Sequence, residues 1–409
     1  MSRSAPLGVY VHVPFCQRRC GYCDFNTYTA AELGGPSALT GFADHAIGEM
    51  ALAKQELAVI RAYKLPPVDT VFFGGGTPTV LPALDLARLL RAVKETFGLA
   101  QGAEITIEAN PETVDAAVLM ALADAGFTRV SFGMQSSSPA VLAKLQRRHR
   151  PDQVALVSNW ARQAGLDVSV DLIYGAPGES LAEWRSSLQA ATDLGIDHIS
   201  CYGLTIEPET PLGRKVAAGL VGATDQDEQA VKYELADQVL SQAGLRCYEI
   251  SNWAKPGHEC RHNLGYWRGG QWLGIGPGAH GSIGRRRYWN LKHPKVYAQT
   301  LEAEQLPVEG QENIDDQAAQ LERIMLGLRL AEGLPKEVLG VDPATGAQDD
   351  AGRAQDDAAK VQDDAASRSG LDGIEQLVSE GLLEDLGDQI RLTLRGRLLA
   401  DLVTRALIA

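Results

Sequence analysis

Six short runs rich in Val, Ile and Phe recur through the first half of the chain: Gly8–Val13, Thr70–Phe73, Glu104–Glu108, Arg129–Phe132, Val168–Ile173 and His198–Tyr202. Their length and β-branched content predict strands. Between most of them lie Ala/Leu-rich stretches with apolar residues three and four apart, such as Ala83–Thr96 and Val114–Ala125, which predict helices. Repeated strand–helix alternation implies a parallel sheet with helices outside it and right-handed crossovers. Six units are too few for an eight-stranded barrel. The expectation is an α/β fold, a partial (β/α)6 barrel over residues 1–215.

The pattern then loosens. Residues 216–300 read as an accessory segment, with a helix over Ala230–Gln242, a short strand over Cys247–Ile250, and a loop rich in Trp, His and Gly. So aromatic a loop has a reason to exist if it packs over something large and flat, such as the barrel mouth or a planar cofactor. Residues 301–409 read as a small helical domain. LERIMLGLRLAEGL is amphipathic, and the last forty residues read as helix, short strand pair, helix, a winged-helix-like pattern. Within it, AQDDAGR, AQDDAAK and VQDDAAS repeat with period seven over 341–370. A heptad suggests a coiled coil, but each repeat offers mainly Ala and no bulky seam. The composition favours a solvated surface insertion without a catalytic role.

A chain of 409 residues is long enough for a sizeable core and more than one domain. The net charge of −14 argues against nucleic-acid binding, which needs a basic footprint. It also weakens a DNA-binding reading of the winged-helix pattern and leaves a docking surface instead. No run of 18 apolar residues and no signal-peptide core are present, so a cytosolic protein is expected. Six cysteines in a chain of this length do not make a disulfide framework, and cytosolic thiols stay reduced.

Three of those cysteines carry the most specific signal. Cys16, Cys20 and Cys23 stand at C-x3-C-x2-C spacing directly after the first strand. Thiolates are soft ligands suited to iron–sulfur clusters and zinc. Three of them leave one iron of a 4Fe–4S cube without a protein ligand, free to chelate a small molecule, whereas electron-transfer clusters use four cysteines. A closed zinc site wants a fourth ligand. His12 is the only near candidate, and on the strand it reads better as a packing or hydrogen-bonding residue.

Other chemistry-bearing residues fall at the carboxyl ends of the predicted strands, where parallel barrels bind ligands. Gly74-Gly75-Gly76-Thr77-Pro78 follows the second strand, Glu108 ends the third, Gln135 follows the fourth, and Asp171 lies late in the fifth. Glycines let backbone approach a ligand, although a tight turn alone explains such a run. The two acids fit hydrogen bonding to a ligand or helix capping; Asn110 before Pro111 can itself serve as a cap. Arg147 sits in the basic cluster Arg147-Arg148-His149-Arg150, by default a solvated face, from which one guanidinium can pair with a carboxylate. In the aromatic loop, His262 and Cys260 are possible haem ligands, and Tyr266 and Trp267 can border a porphyrin. The plain alternative is a lid whose rings complete the core.

The stretches GVYVHVPFCQRRCGYCDF, FFGGGTPT, IEANP, VSFGMQS, VDLIYGAPGE, SCYGLTIEPET and CRHNLGYW together resemble the coproporphyrinogen-oxidase-like branch of the radical S-adenosylmethionine (SAM) superfamily. The resemblance covers residues 7–340 and 371–409. It implies Cys16, Cys20 and Cys23 as ligands of a 4Fe–4S cluster. It implies Tyr10, Tyr22, Gly75, Gly76, Thr77, Glu108, Gln135, Arg147 and Asp171 as SAM contacts. Two subfamilies compete: the oxygen-independent coproporphyrinogen III oxidases, radical decarboxylases, and the haem chaperones of the HemW type. The oxidases carry a fourth cysteine two residues after the third, where this chain has Phe25, and a longer extension than the 15 residues before Cys16. His262, Asn263, Tyr266 and Trp267 match the HNxxYW motif associated with haem binding in the chaperones. The resemblance therefore implies a haem chaperone. Its expected partners are haem, haem-requiring acceptor proteins and a low-potential electron donor, with a cluster-dependent homodimer possible and whether SAM is cleaved left open.

Overall fold

The computed structural model describes residues 6–59, 65–340 and 373–408. The repeat at 341–370 lies outside the described residues. The chain divides into two compact units. The first holds 1–246, 251–265 and 270–313; the second holds 247–250, 266–269 and 314–409.

All six expected strands form in the first unit: β1 (Leu7–Val13), β2 (Val68–Gly75), β3 (Leu99–Ala109), β4 (Arg129–Gln135), β5 (Asp167–Tyr174) and β6 (His198–Gly203). They lie side by side in chain order, each pair parallel. The loosely patterned region then adds strands that periodicity did not reveal. β7 (Asn252–Ala254) runs antiparallel to β6. β8 (Gln271–Ile275) returns to the other edge and pairs parallel with β1. β9 (His280–Ile283), β10 (Arg286–Asn290) and β11 (Val308–Asn313) extend that edge as an antiparallel meander. Among these strands the sheet order is β11-β10-β9-β8-β1-β2-β3-β4-β5-β6-β7, and the short strand expected over Cys247–Ile250 forms as Arg246–Glu249.

Strand alternation sorts the side chains into two faces. Val9, Val11, Val71, Phe73, Ile107, Val130 and Phe132 point to the helix-covered face and are fully buried. Facing them are leucines of α2 (Ala83–Phe97) and α3 (Ala116–Ala125), valines of α4 (Pro151–Gln163) and Trp184 of α5 (Leu181–Asp193). The register places a different population on the other face. Gly8, Tyr10 and His12 stand beside Thr70, Phe72 and Gly74, followed across the sheet by Glu104, Thr106, Glu108, Arg129, Ser131, Gly133, Ser169, Asp171, His198 and Ser200. The interior of the partial barrel is polar, which a structural core would not favour and a ligand cradle does.

Helix starts follow local chemistry. Asp115 caps α3 by accepting from Val118 N, and Ser180 with Glu183 forms a capping box on α5. Two further helices of this unit are α1 (Phe42–Val59) and α6 (Gln226–Gln242). A short one, α7 (Arg261–Trp267), carries the HNLGYW sequence.

The second unit contains α8 (Asp316–Gly327), a helix over 373–379, α9 (Leu394–Leu398) and α10 (Ala400–Ile408). Its small antiparallel sheet has the order β12 (Leu334–Pro335), β14 (Gln389–Leu392), β13 (Leu383–Asp385). Ile324, Leu328, Leu377, Leu383, Ile390 and Val403 form its core. Helices around a short hairpin match the winged-helix-like expectation.

Candidate functional site

β1 ends at Val13, and the chain loops out to return at Tyr28. A short parallel pairing of Phe15–Cys16 with Tyr28–Thr29 closes the base of this excursion. His12 also holds it: its Nε2 meets the Asn26 carbonyl at 2.9 Å and its Nδ1 meets the Tyr10 hydroxyl at 3.0 Å. Asn26 Nδ2 donates to the carbonyls of Pro277 (3.0 Å) and Lys292 (2.9 Å), anchoring the loop to the strands of the far edge. His12 is thus a hydrogen-bonding residue, as expected from its place on the strand.

The loop presents Cys16, Cys20 and Cys23 as free, half-buried thiols. Burial pushes Cys16 up to about 11, and the neighbouring Cys23 and Cys20 add to the shift. Cys23 is raised too, chiefly by burial. Sulfurs gathered this closely suit a bound cation, which would hold them as thiolates. Two donors already face the sulfurs: Arg147 Nη1 lies 3.6 Å from Cys20 Sγ, and Thr77 Oγ1 lies 3.9 Å from Cys16 Sγ. Tyr22 is half-buried beside Cys20 and packs against the cluster of Ile173, Leu204 and Leu212.

The glycine run lies directly against this loop. Gly76 N donates to Val13 O (2.8 Å) and Thr77 N to Phe15 O (2.7 Å). A Cβ on Gly76 would sit 2.5 Å from Phe15 O, and one on Gly75, at φ 109°, would sit 2.5 Å from the His12 ring. Close backbone approach therefore explains both glycines. Gly75 N donates to Glu108 Oε2 at 3.2 Å. Burial, then the neighbouring Asp171, pushes Glu108 up to about 8. Asp171 is raised by burial as well, although Ser200 and Ser131 (3.1 Å) donate to it.

Gln135 occupies a left-handed conformation (φ 62°) at a register shift in β4. Its side-chain amide, the Arg147 guanidinium and Asn110 Oδ1 all converge on Gly133. Arg147 Nη2 donates to Gly133 O (2.9 Å) and to Asn110, and Asn110 Nδ2 donates to Thr77 Oγ1 (3.0 Å). A continuous chain of contacts thus runs from Cys16 through Thr77, Asn110 and Arg147 to Cys20. Residues scattered from Tyr10 to Asp171 gather at the carboxyl ends of β1–β5.

His262 stands elsewhere. α7 lies at the amino ends of the strands, and the His262 ring meets Thr70 Oγ1 at 2.8 Å through Nδ1 and stacks on Phe72 at 5.3 Å. It also abuts Gly8, where an added Cβ would come within 3.0 Å of the ring. Gly8 and Val13 are five residues apart on β1, so roughly 16 Å of strand separates this contact from the cysteine loop. Burial lowers His262 to about 3. The carboxylate of Glu104 holds the start of α7, accepting from Arg261 N and His262 N, each at 3.0 Å, and from Cys260 Sγ at 3.5 Å. Arg129 lies 3.5 Å from the same carboxylate, and both side chains are buried. Asn263 continues α7 in the first unit, whereas Tyr266 and Trp267 fall in the second.

Comparison with known proteins names this arrangement. The Radical SAM superfamily profile matches residues 10–191. The haem chaperone HemW of Mycobacterium tuberculosis is 46% identical over 406 residues, covering 98% of this chain and 95% of its own. The chain belongs to the HemW family of radical SAM proteins. The HemW of Escherichia coli is 35% identical, with 82% of this chain and 86% of that protein aligned. Among solved structures, the E. coli coproporphyrinogen III oxidase HemN superposes with a TM-score of 0.78 at 22% identity, over 98% of this chain and 90% of that one. At that identity the likeness concerns the fold: a radical SAM barrel followed by a smaller domain.

Some residues of this HemW-family site were not singled out by sequence reasoning. Ser131 and Ser200 lie within the stretches VSFGMQS and SCYGLTIEPET, but a serine among apolar strand residues did not stand out as a site residue. Glu104 and Arg129 sit at strand starts, where charge reads as solvated. The available signal was alternation: each lies in phase with Glu108 or Asp171 on the polar face.

Proposed function

We propose that this protein is a haem chaperone that binds haem and passes it to haem-requiring proteins, and that Cys16, Cys20 and Cys23 hold a 4Fe–4S cluster with SAM beside it. The observation that carries the reading is the loop of three free thiols facing the Arg147 guanidinium and the Gly74–Gly76 turn. The 46% identity to a haem chaperone over nearly the whole chain supports it. The donor set suits a cluster with one open iron: three thiolates, no fourth cysteine nearby, and Phe25 exposed two residues after the last.

A bound cluster supplies low-potential one-electron reduction of SAM. The protein's own groups do the rest. The backbone of Gly75 and Gly76 with Thr77 lines the approach to the thiols. Arg147 offers a cation for a carboxylate, and its Nε is buried with no partner among the described residues. Glu108 and Asp171 present oxygens for hydroxyl or ammonium donors, with Gln135 and Tyr10 beside them and Tyr22 packed behind Cys20. Haem is assigned to His262, Asn263, Tyr266 and Trp267. The indole N–H of Trp267 is buried without an acceptor among the described residues, which suits a ligand that brings one. His262 takes part through an opened α7, because its ring is buried and hydrogen-bonded in the closed form.

The partners that follow are a haem-requiring acceptor, a low-potential electron donor and, when the cluster is loaded, a second copy of the chain. Among the described residues no helix is long and apolar enough to cross a membrane. The alternative, coproporphyrinogen III oxidation, draws on the HemN-like fold alone. Haem transfer from the purified protein to an apo-acceptor, with and without the cluster, tests the proposal. Transfer above the rate of free haem supports it. Anaerobic turnover of coproporphyrinogen III without haem transfer overturns it.

A further inference from the structure

Asn110 directly follows β3 and lies between the glycine run and Arg147. Its backbone is fixed on the far side. Pro111 keeps it extended (φ −94°, ψ 145°). Thr113 closes the turn: its Oγ1 accepts from Asn110 N at 3.3 Å, and its N donates to Asn110 O at 3.0 Å. The side-chain amide is thereby delivered to one place, beside Gly133.

The orientation of that amide follows from its partners. A guanidinium only donates, so the atom that Arg147 Nη2 meets is Oδ1. Nδ2 is then the atom facing Thr77 Oγ1 at 3.0 Å, and it donates. A hydroxyl that accepts there keeps its own proton for another partner, and Cys16 Sγ lies 3.9 Å away. At the other end, Arg147 Nη2 is held by Asn110 and by Gly133 O at 2.9 Å, which turns Nη1 toward Cys20 Sγ at 3.6 Å. One amide sets the direction of two donors aimed at cysteine sulfurs.

Hydrogen bonds to the sulfurs and the net charge help to set the reduction potential of an iron–sulfur centre. An added electron makes those sulfurs stronger acceptors, so donors aimed at them favour the reduced form. We infer that Asn110 is a positioning residue: it keeps the Thr77 hydroxyl and the Arg147 guanidinium pointed at Cys16 and Cys20, and so raises the potential at which a cluster on these cysteines takes up an electron. The inference rests on the proposed 4Fe–4S cluster at Cys16, Cys20 and Cys23.

Asn110→Asp tests it with little change of shape. The carboxylate still accepts from Arg147 but has no proton for Thr77, whose hydroxyl then donates to it and turns away from Cys16. The measurement is a redox titration of the anaerobically reconstituted full chain without SAM, followed by visible absorbance and by electron paramagnetic resonance of the reduced form. Loss of one hydrogen bond to a charged acceptor predicts a reduced-to-oxidised ratio about tenfold lower at the same solution potential, equivalent to about 59 mV in the negative direction. Thr77→Val removes the same hydroxyl and should shift the ratio the same way, whereas Thr77→Ser keeps it and should hold the parent value. Asp also adds a charge, so the two changes are combined: with Thr77→Val in place, Asn110→Asp should lower the ratio by less than about threefold. A parent chain that binds no iron sinks the cluster reading and this inference with it. With the parent loaded, an unmoved potential in Asn110→Asp overturns this inference alone, as do equal shifts with and without Thr77→Val, the result a bare charge would give. If Asn110→Asp binds no iron, the potentials of Thr77→Val and Thr77→Ser decide: equal values overturn the inference.

Discussion

Glu104→Gln is the perturbation that best tests how α7 is held. The carboxylate accepts two backbone N–H groups at 3.0 Å and faces Arg129 at 3.5 Å, with both side chains buried. Hydrogen bonds to a charged acceptor contribute about 1.5–3 kcal/mol each, and stripping one partner from a buried ion pair costs about 3–5 kcal/mol. Glutamine keeps one carbonyl oxygen for a backbone donor, and Arg129 keeps its bond to His258 O at 2.9 Å. The two costs overlap because one carboxylate carries both, so the expected net loss is about 3 kcal/mol, the low end of the ion-pair range. Urea unfolding of the purified chain measures it, and amide exchange at Arg261 and His262 should quicken in parallel. Pairing the change with Arg129→Met in a double-mutant cycle should give a coupling of about 1–3 kcal/mol. A Glu104→Gln protein within about 0.5 kcal/mol of the parent, with unchanged exchange at the two amides, would refute the assigned role.

Three further outcomes are expected. Cys16→Ser, Cys20→Ser or Cys23→Ser should each abolish the broad absorbance near roughly 400 nm after anaerobic reconstitution, whereas Cys201→Ser should leave it intact. Gly76→Ala should cost about 1–3 kcal/mol and impair cluster loading, because the new methyl meets the Phe15 carbonyl at 2.5 Å; thermal melts and iron content read both effects. His262 is held below its ordinary value of 6.5, at about 3, so it is neutral when buried and gains a proton when exposed. Its contribution to stability is complete above about pH 6.5 and is lost as pH falls toward about 3, at up to about 1.4 kcal/mol per pH unit. Subtracting the urea profile of His262→Gln from that of the parent isolates this slope, and parallel profiles would exclude it.

Much of the candidate site was legible in the sequence because its residues are locally constrained. The cysteine spacing, the glycine run and the acids ending strands each need a special backbone or a special ligand, and such needs leave motifs. The far edge was not legible for the opposite reason. Strands β8–β11 are short and, in β8–β10, burial does not alternate, so no period-two pattern rises above the loops around them. Their place is decided by pairing with β1, a contact some 260 residues distant in sequence. The aromatic stretch illustrates both effects. Its richness in rings left open a barrel mouth or a planar cofactor as the surface it packs on. The contacts of His262 with Gly8 and Thr70 place its ring at the strand ends away from the cysteines.

β1 is flanked on one side by β2 and on the other by β8, so its hydrogen-bonding edge stays unsatisfied until residue 275 has been made. During translation the cysteines emerge first, yet the strand that completes the sheet beside β1 follows roughly 250 residues later. Iron supplied before then would meet thiols on an unfinished scaffold. Loading of a cluster at these thiols would then follow the return of β8, and truncated products lacking that strand should be recovered free of iron.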